Sequence, residues 1–181
     1  VVGPLVVFGC YVPPVLRGAA VDAVLVVAGG LFHSIGVGLL TRAPRIVRVD
    51  PYTRRVSDVS GEISRFLAVR LGKMSEALDA RSWGILVGSL GQFRPALVGK
   101  LIGLLSERGL RYYIYVAPTL NAEVLRNIDS PELDAYVVTS CPRVAVDDLS
   151  DFEKPVLTPS EAVSLLREGR VPEYPPGLLP T

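Results

Sequence analysis

The residues with most chemistry to offer are two cysteines, Cys10 and Cys141, and one histidine, His33. A thiolate is a nucleophile and a soft metal ligand. The plain alternative is two buried thiols acting as small apolar residues. A disulfide is disfavoured in a cytosolic protein of this size. A zinc site is disfavoured too, because there is a single histidine and no Cys-x-x-Cys pair. Around these residues lie further candidates. Gly29-Gly30 either cradles an anion on backbone N–H groups or only makes a tight turn between strand and helix. No G-x-G-x-x-G or P-loop pattern supports the first option. His33 reads as a polar residue at a helix start, as a ligand, or as a base. Arg143 either pairs with a substrate carboxylate or is a surface arginine. Gln92 either bonds a cofactor or satisfies its own loop, and Asp147-Asp148 is either a helix-start pair or a solvated one.

These residues need elements to position them. Apolar runs at 5–8, 23–28, 45–49, 84–88, 112–116 and 135–139 predict strands buried on both faces. Helical patterns lie between them at 34–40, 62–80, 95–108, 122–128 and 160–167. In the third, Leu97, Leu101, Ile102, Leu104 and Leu105 form one apolar face, and Gly109 is a natural stop. Thr158-Pro159-Ser160-Glu161 reads as a capped helix start. Alternation of strand and helix predicts an α/β protein with doubly wound parallel sheets. Ligands then bind beyond the carboxyl ends of the strands. Both cysteines are expected there, each on a turn after a strand, with the thiolate able to point outward.

The chain also repeats a pattern. Asp22-Ala23-Val24-Leu25-Val26-Val27 matches Asp134-Ala135-Tyr136-Val137-Val138. Pro44-Arg45-Ile46-Val47 and Pro155-Val156-Leu157 follow, and each leads to a proline ahead of a helix, Pro51 or Pro159. We read two similar parallel-sheet units with flanking helices, 1–80 and 81–181.

Composition narrows the function. With 19 basic against 18 acidic residues, the chain lacks the basic excess of non-specific nucleic-acid binders, so no nucleic acid is expected as partner. The longest apolar stretch, 23–40, is interrupted by glycines, His33 and Ser34, whereas a membrane helix needs about 20 mostly apolar residues in a row. No membrane span is expected, and the proline-bearing, uncharged start is a poor signal peptide, so the expected location is cytoplasmic. Val1 in place of Met reads as a trimmed fragment or an alternative start codon.

Seven segments in order carry a resemblance: GCYVP at Cys10, GGLFHSIG (29–36), VDPYT (49–53), SLGQF (89–93), SCPRVAVDD (140–148), KPVLTPSEA (154–162) and EYP (173–175). Together they resemble the middle and C-terminal domains of the diphthamide synthase family, across nearly the whole chain. The Cys-Pro-Arg, Lys-Pro-x-Leu-Thr-Pro-x-Glu and Asp-Pro-Tyr segments are the most specific. The resemblance implies three similar α/β domains, each giving one cysteine to a 4Fe–4S cluster. It implies an enzyme that moves a 3-amino-3-carboxypropyl group from S-adenosylmethionine to a histidine of translation elongation factor 2, as a homodimer or heterodimer. On this resemblance Cys10 and Cys141 are metal ligands facing one cleft. Gly29, Gly30, Phe32, His33, Gln92 and Arg143 are expected to bind S-adenosylmethionine, while the catalytic residues stay unassigned. The N-terminal domain and its cysteine have no counterpart here. A separately encoded or removed first domain, or a second subunit, is therefore the expected partner. The alternatives are a non-catalytic partner subunit of the same pathway and a plain nucleotide-binding α/β domain.

Overall fold

The computed structural model describes residues 4–17, 20–41, 43–88, 93–175 and 177–180. The chain divides into two compact units, Val1–Val69 and Arg70–Thr181, with the division falling inside a helix.

Unit 1 is built on a three-stranded sheet in the order β1-β2-β3, with β1 at Val24–Val27, β2 at Ile46–Asp50 and β3 at Arg55–Asp58. Helix α1 (Leu31–Thr41) connects β1 to β2, which run parallel. Helix α2 (Ser60–Glu76) follows β3. Val26 and Ile46 lie on the covered face at 3% and 2% exposure, in a core with Ile35, Leu39 and Leu40 of α1. The register puts Leu25, Val27, Val47, Val49 and Val56 on the opposite face, where Leu25, Val27 and Val56 are exposed.

Two features of unit 1 depart from the sequence reading. Residues 5–8 form no strand; Phe8 makes one isolated antiparallel bridge to Tyr11. β3 was not expected and runs antiparallel to β2. Its cause is local. The Asp50 carboxylate accepts from the Tyr52 and Thr53 N–H groups at 2.9 and 3.1 Å, and Arg54 takes a left-handed φ of 54°. An aspartate turn followed by a left-handed residue reverses the chain onto its own strand.

Unit 2 holds a fully parallel sheet in the order β5-β4-β6-β7. The strands are β4 (Ser82–Gly88), β5 (Arg111–Ala117), β6 (Ala135–Val138) and β7 (Val156–Leu157). Every residue of β4 and β6 is buried, which is why they read as continuous apolar runs. Helix α3 (Pro95–Glu107) crosses from β4 to β5 and α4 (Ala122–Ile128) from β5 to β6, while α5 (Pro159–Glu168) follows β7. Leu86, Leu125, Tyr136, Val138, Leu149 and Phe152 belong to one core cluster. The two copies of the Asp-Ala pattern lead into β1 and β6, which pair in parallel with β2 and β7, but Pro51 leads into β3 where Pro159 opens a helix.

Helix α5 begins as its sequence demands. The Glu161 N–H donates to Thr158 Oγ1 while the Glu161 side chain accepts from the Thr158 N–H at 2.7 Å, a complete capping box. Gly169 closes the helix at a left-handed φ of 68°.

Candidate functional site

In unit 1, Cys10 sits in a tight turn closed by two main-chain bonds, Phe8 N–H to Tyr11 O at 2.8 Å and Tyr11 N–H to Phe8 O at 2.9 Å. This differs from the expected position after a regular strand. The turn rests on α1. A Cβ on Gly9 would lie 2.0 Å from the Phe32 ring, and one on Gly36 would lie 2.4 Å from the Gly9 carbonyl oxygen. Only glycine at both places lets main chain and helix come this close. Phe32, expected as a ligand contact, is thus part of the seat of the Cys10 turn. Gly29 plays a similar part for Tyr52, whose ring stands 2.7 Å from where its Cβ would be, while Gly30 faces open space.

The start of α1 has no acidic residue in its first turn. Phe32 and His33 meet edge to face at 6.4 Å. His33 Nδ1 and Ser34 Oγ are buried with no hydrogen-bond partner. Buried polar atoms are almost always satisfied, so two orphans at one helix start are unusual. The structure brings Gly29, Gly30, Phe32 and His33 together with the Cys10 turn.

In unit 2, Cys141 follows β6 as expected. The Thr139 N–H and Oγ1 both donate to the Leu86 carbonyl, at 2.9 and 3.0 Å, and anchor the strand end. Arg94 Nη1 donates to the Ser140 carbonyl at 2.8 Å. The Val144 N–H returns to the Cys141 carbonyl at 3.0 Å, and a wide helical turn, Val144–Asp148, carries the chain away. Arg143 is exposed, and its Nε donates to Asp147 at 2.6 Å. Bonding to Asp147 and its charge raises the Arg143 pKa further. Of the acidic pair, Asp147 therefore partners Arg143 rather than standing as a simple solvated charge. Gln92 lies outside the described residues.

No sequence motif marks the side chains that tie down the main chain around Cys141. Arg70 is 2% exposed; it donates to both Glu161 carboxylate oxygens at 2.8 and 2.6 Å and to the carbonyls of Ala145 and Val156 at 3.2 and 2.7 Å. Arg94, bonded to the Ser140 carbonyl, is another. Their partners are main-chain groups or distant residues, which no local motif reveals.

Both cysteines are free and partly exposed, and they are the only two in the sequence. Among the described residues no three His, Cys, Asp or Glu side chains converge as a metal site. Thiolates are the natural ligands of iron–sulfur clusters, so the donors fit such a group in kind while numbering two. No described helix is long and apolar enough to cross a membrane.

Comparison with known proteins places this arrangement. The family model of diphthamide synthesis proteins matches residues 3–175. The 2-(3-amino-3-carboxypropyl)histidine synthase of Pyrococcus horikoshii is 35% identical over 162 residues, covering 88% of this chain and 45% of that protein. Subunit 1 of the human 2-(3-amino-3-carboxypropyl)histidine synthase is 31% identical over 163 residues, covering 90% of this chain and 36% of its own length. Two crystal structures of Dph2 from Pyrococcus horikoshii, one with a 4Fe–4S cluster, align at 33% identity with TM-scores of 0.75 and 0.77. Each covers 96% of this chain and 48% of that one. The chain thus spans less than half the length of these relatives, and it belongs to the diphthamide synthesis protein family.

Proposed function

We propose that this chain is part of a 3-amino-3-carboxypropyl transferase dependent on a 4Fe–4S cluster and S-adenosylmethionine. It acts on a histidine of translation elongation factor 2 in the first step of diphthamide synthesis. The observation that carries the reading is that both cysteines of a family member are free, partly exposed and seated on turns anchored by their own unit. Cys10 and Cys141 would each give one thiolate to the cluster. When bound and reduced, such a cluster supplies the electron that breaks the sulfonium bond to the γ-carbon of S-adenosylmethionine.

The protein's own residues bind and orient. The start of α1 offers N–H groups and the positive end of a helix, at Gly29 and Gly30, to the methionyl carboxylate. His33 Nδ1 is an unmet polar atom in the same place. Phe32, half-buried beside Gly9, would meet the adenine or methionine chain. Arg143, oriented by Asp147, and Gln92 would complete the polar contacts. A second reading, a non-catalytic partner subunit, draws on the count of two thiolates.

The test is anaerobic incubation of elongation factor 2 with the chain, a Cys-bearing first domain, dithionite and S-adenosylmethionine labelled in its methionyl carboxylate. Label is expected on elongation factor 2 and should be lost with Cys10→Ala and with Cys141→Ala. Transfer indifferent to both substitutions would refute the proposal. Failure to capture cluster iron in any of these mixtures would favour the partner subunit.

A further inference from the structure

We infer that Arg70, with Glu161 and Tyr174, is a positioning device for the Cys141 thiolate. The inference rests on the reading of Cys141 as a cluster ligand, but its mechanism lies in unit 2 alone. Arg70 leaves α2 and is buried. Its fork meets the Glu161 carboxylate at 2.8 and 2.6 Å. Glu161 is fixed in turn, with Oε2 accepting from the Thr158 N–H at 2.7 Å and Oε1 from the Tyr174 hydroxyl at 2.5 Å. The remaining Arg70 bonds do not go to a counter-ion. Nη1 donates to the carbonyl of Ala145, inside the turn that follows Cys141, and Nη2 also donates to Val156 in β7. On the near side of Cys141, Arg94 holds the Ser140 carbonyl. The cysteine therefore stands between two main-chain carbonyls, each tied to an arginine.

Stability alone is a weak account of this network. A buried ion pair contributes little against an apolar replacement of equal size, since desolvation offsets attraction. A planar guanidinium does have one use that an apolar group lacks: it fixes two carbonyls and a carboxylate at set angles. Groups that orient a metal ligand from behind commonly matter as much as the ligand's own geometry. Glu161 stands in the Lys-Pro-x-Leu-Thr-Pro-x-Glu segment, so one residue both caps α5 and anchors Arg70.

The experiment compares alkylation of Cys141 and Cys10 by iodoacetamide in the full chain without cluster, with each site read by mass spectrometry. Cys10 lies in the other unit and serves as internal reference. Arg70→Lys and Glu161→Gln are each expected to raise the Cys141 rate and to lower iron capture on anaerobic reconstitution, by about tenfold. The Cys10 rate and the amide-exchange protection of β4 should stay at wild-type values. Tyr174→Phe keeps the ion pair and should give a smaller rise in the Cys141 rate alone. If Arg70→Lys does not fold, Tyr174→Phe and Glu161→Gln decide by the same comparison. A wild-type Cys141 rate in the folded variants would overturn the inference. So would a rate that rises only together with loss of β4 protection, because the network would then merely hold the unit together. If Cys141→Ala leaves transfer to elongation factor 2 intact while the alkylation pattern holds, the assigned function fails and the positioning role stands.

Discussion

Cys10 depends on two glycines more than on any hydrogen bond of its own. Gly36→Ala would place a methyl 2.4 Å from the Gly9 carbonyl oxygen, a main-chain atom that cannot swing aside. Overpacking of this kind costs about 1–3 kcal/mol. We expect Gly36→Ala to lower the urea midpoint of unit 1 and to speed alkylation of Cys10, with Cys141 unaffected. Unchanged kinetics at Cys10 would mean that the turn does not rest on α1. At this scale the sequence was legible where a residue announces its chemistry. The two thiols stand out by residue type, and Asp147, which Arg143 bonds, lies in the acidic pair beside it. Arg70 and Arg94 could not be named, because an arginine bonded to distant carbonyls looks in sequence like any other arginine. The contact of Phe32 with Gly9 was hidden for the same reason: an aromatic after Gly-Gly reads as a ligand wall until the fold shows what lies against it.

Among the elements, β6 and α5 show how local signals and long-range contacts share the work. Thr158-Pro159-Ser160-Glu161 spelled out its helix start, and the structure contains the full capping box. Thr158→Ala should cost about 1 kcal/mol, as lost N-caps do, read as a lower urea midpoint for unit 2. The residues before β6 and β7 are tied through Asp129, whose carboxylate accepts from the Lys154 ammonium at 2.6 Å and from the Tyr136 hydroxyl. Partial burial works to raise the Asp129 pKa, but these bonds and the Lys154 charge outweigh it and hold the carboxyl below its ordinary 3.8. The folded state therefore binds the proton less readily than the unfolded chain. The resulting stability is complete at neutral pH, begins to fade near 3.8 and is lost as pH falls through the depressed folded value. Asp129→Asn should be less stable by about 1–2 kcal/mol at pH 7 and should show a shallower loss of stability on acidification. Equal acid slopes for wild type and variant would dismiss the assignment. Burial explains which elements could be read in advance. β4 and β6 are buried throughout and gave unmistakable runs. Residues 5–8 gave a similar run, yet Leu5, Val6 and Phe8 are exposed and no strand forms. β3 was missed because Asp50-Pro51-Tyr52 looked like a strand end before a helix, when the aspartate turn and Arg54 fold it back into a hairpin.

On the scale of the whole molecule, the fold and the cofactor proposal have different requirements. Each sheet has its own helices, and each unit has its own buried core, so the chain should fold by itself. A cluster asks for more than folding. The proposed cluster takes three thiolates, one from each of the three domains that the family resemblance implies, which leaves one iron without a protein ligand, whereas this sequence contains two cysteines. With two thiolates a second iron loses its protein ligand, so the cluster should be labile and its potential altered. We therefore expect the 181-residue chain to bind iron and sulfide weakly under anaerobic reconstitution and to lose them on gel filtration. It should transfer no label from S-adenosylmethionine to elongation factor 2 on its own. Adding a separately produced Cys-bearing first domain should restore both a stable cluster absorbance and transfer, and Cys10→Ala or Cys141→Ala should abolish both. Robust transfer by the isolated monomer would defeat the argument, because two thiolates would then suffice for chemistry that the proposal assigns to three.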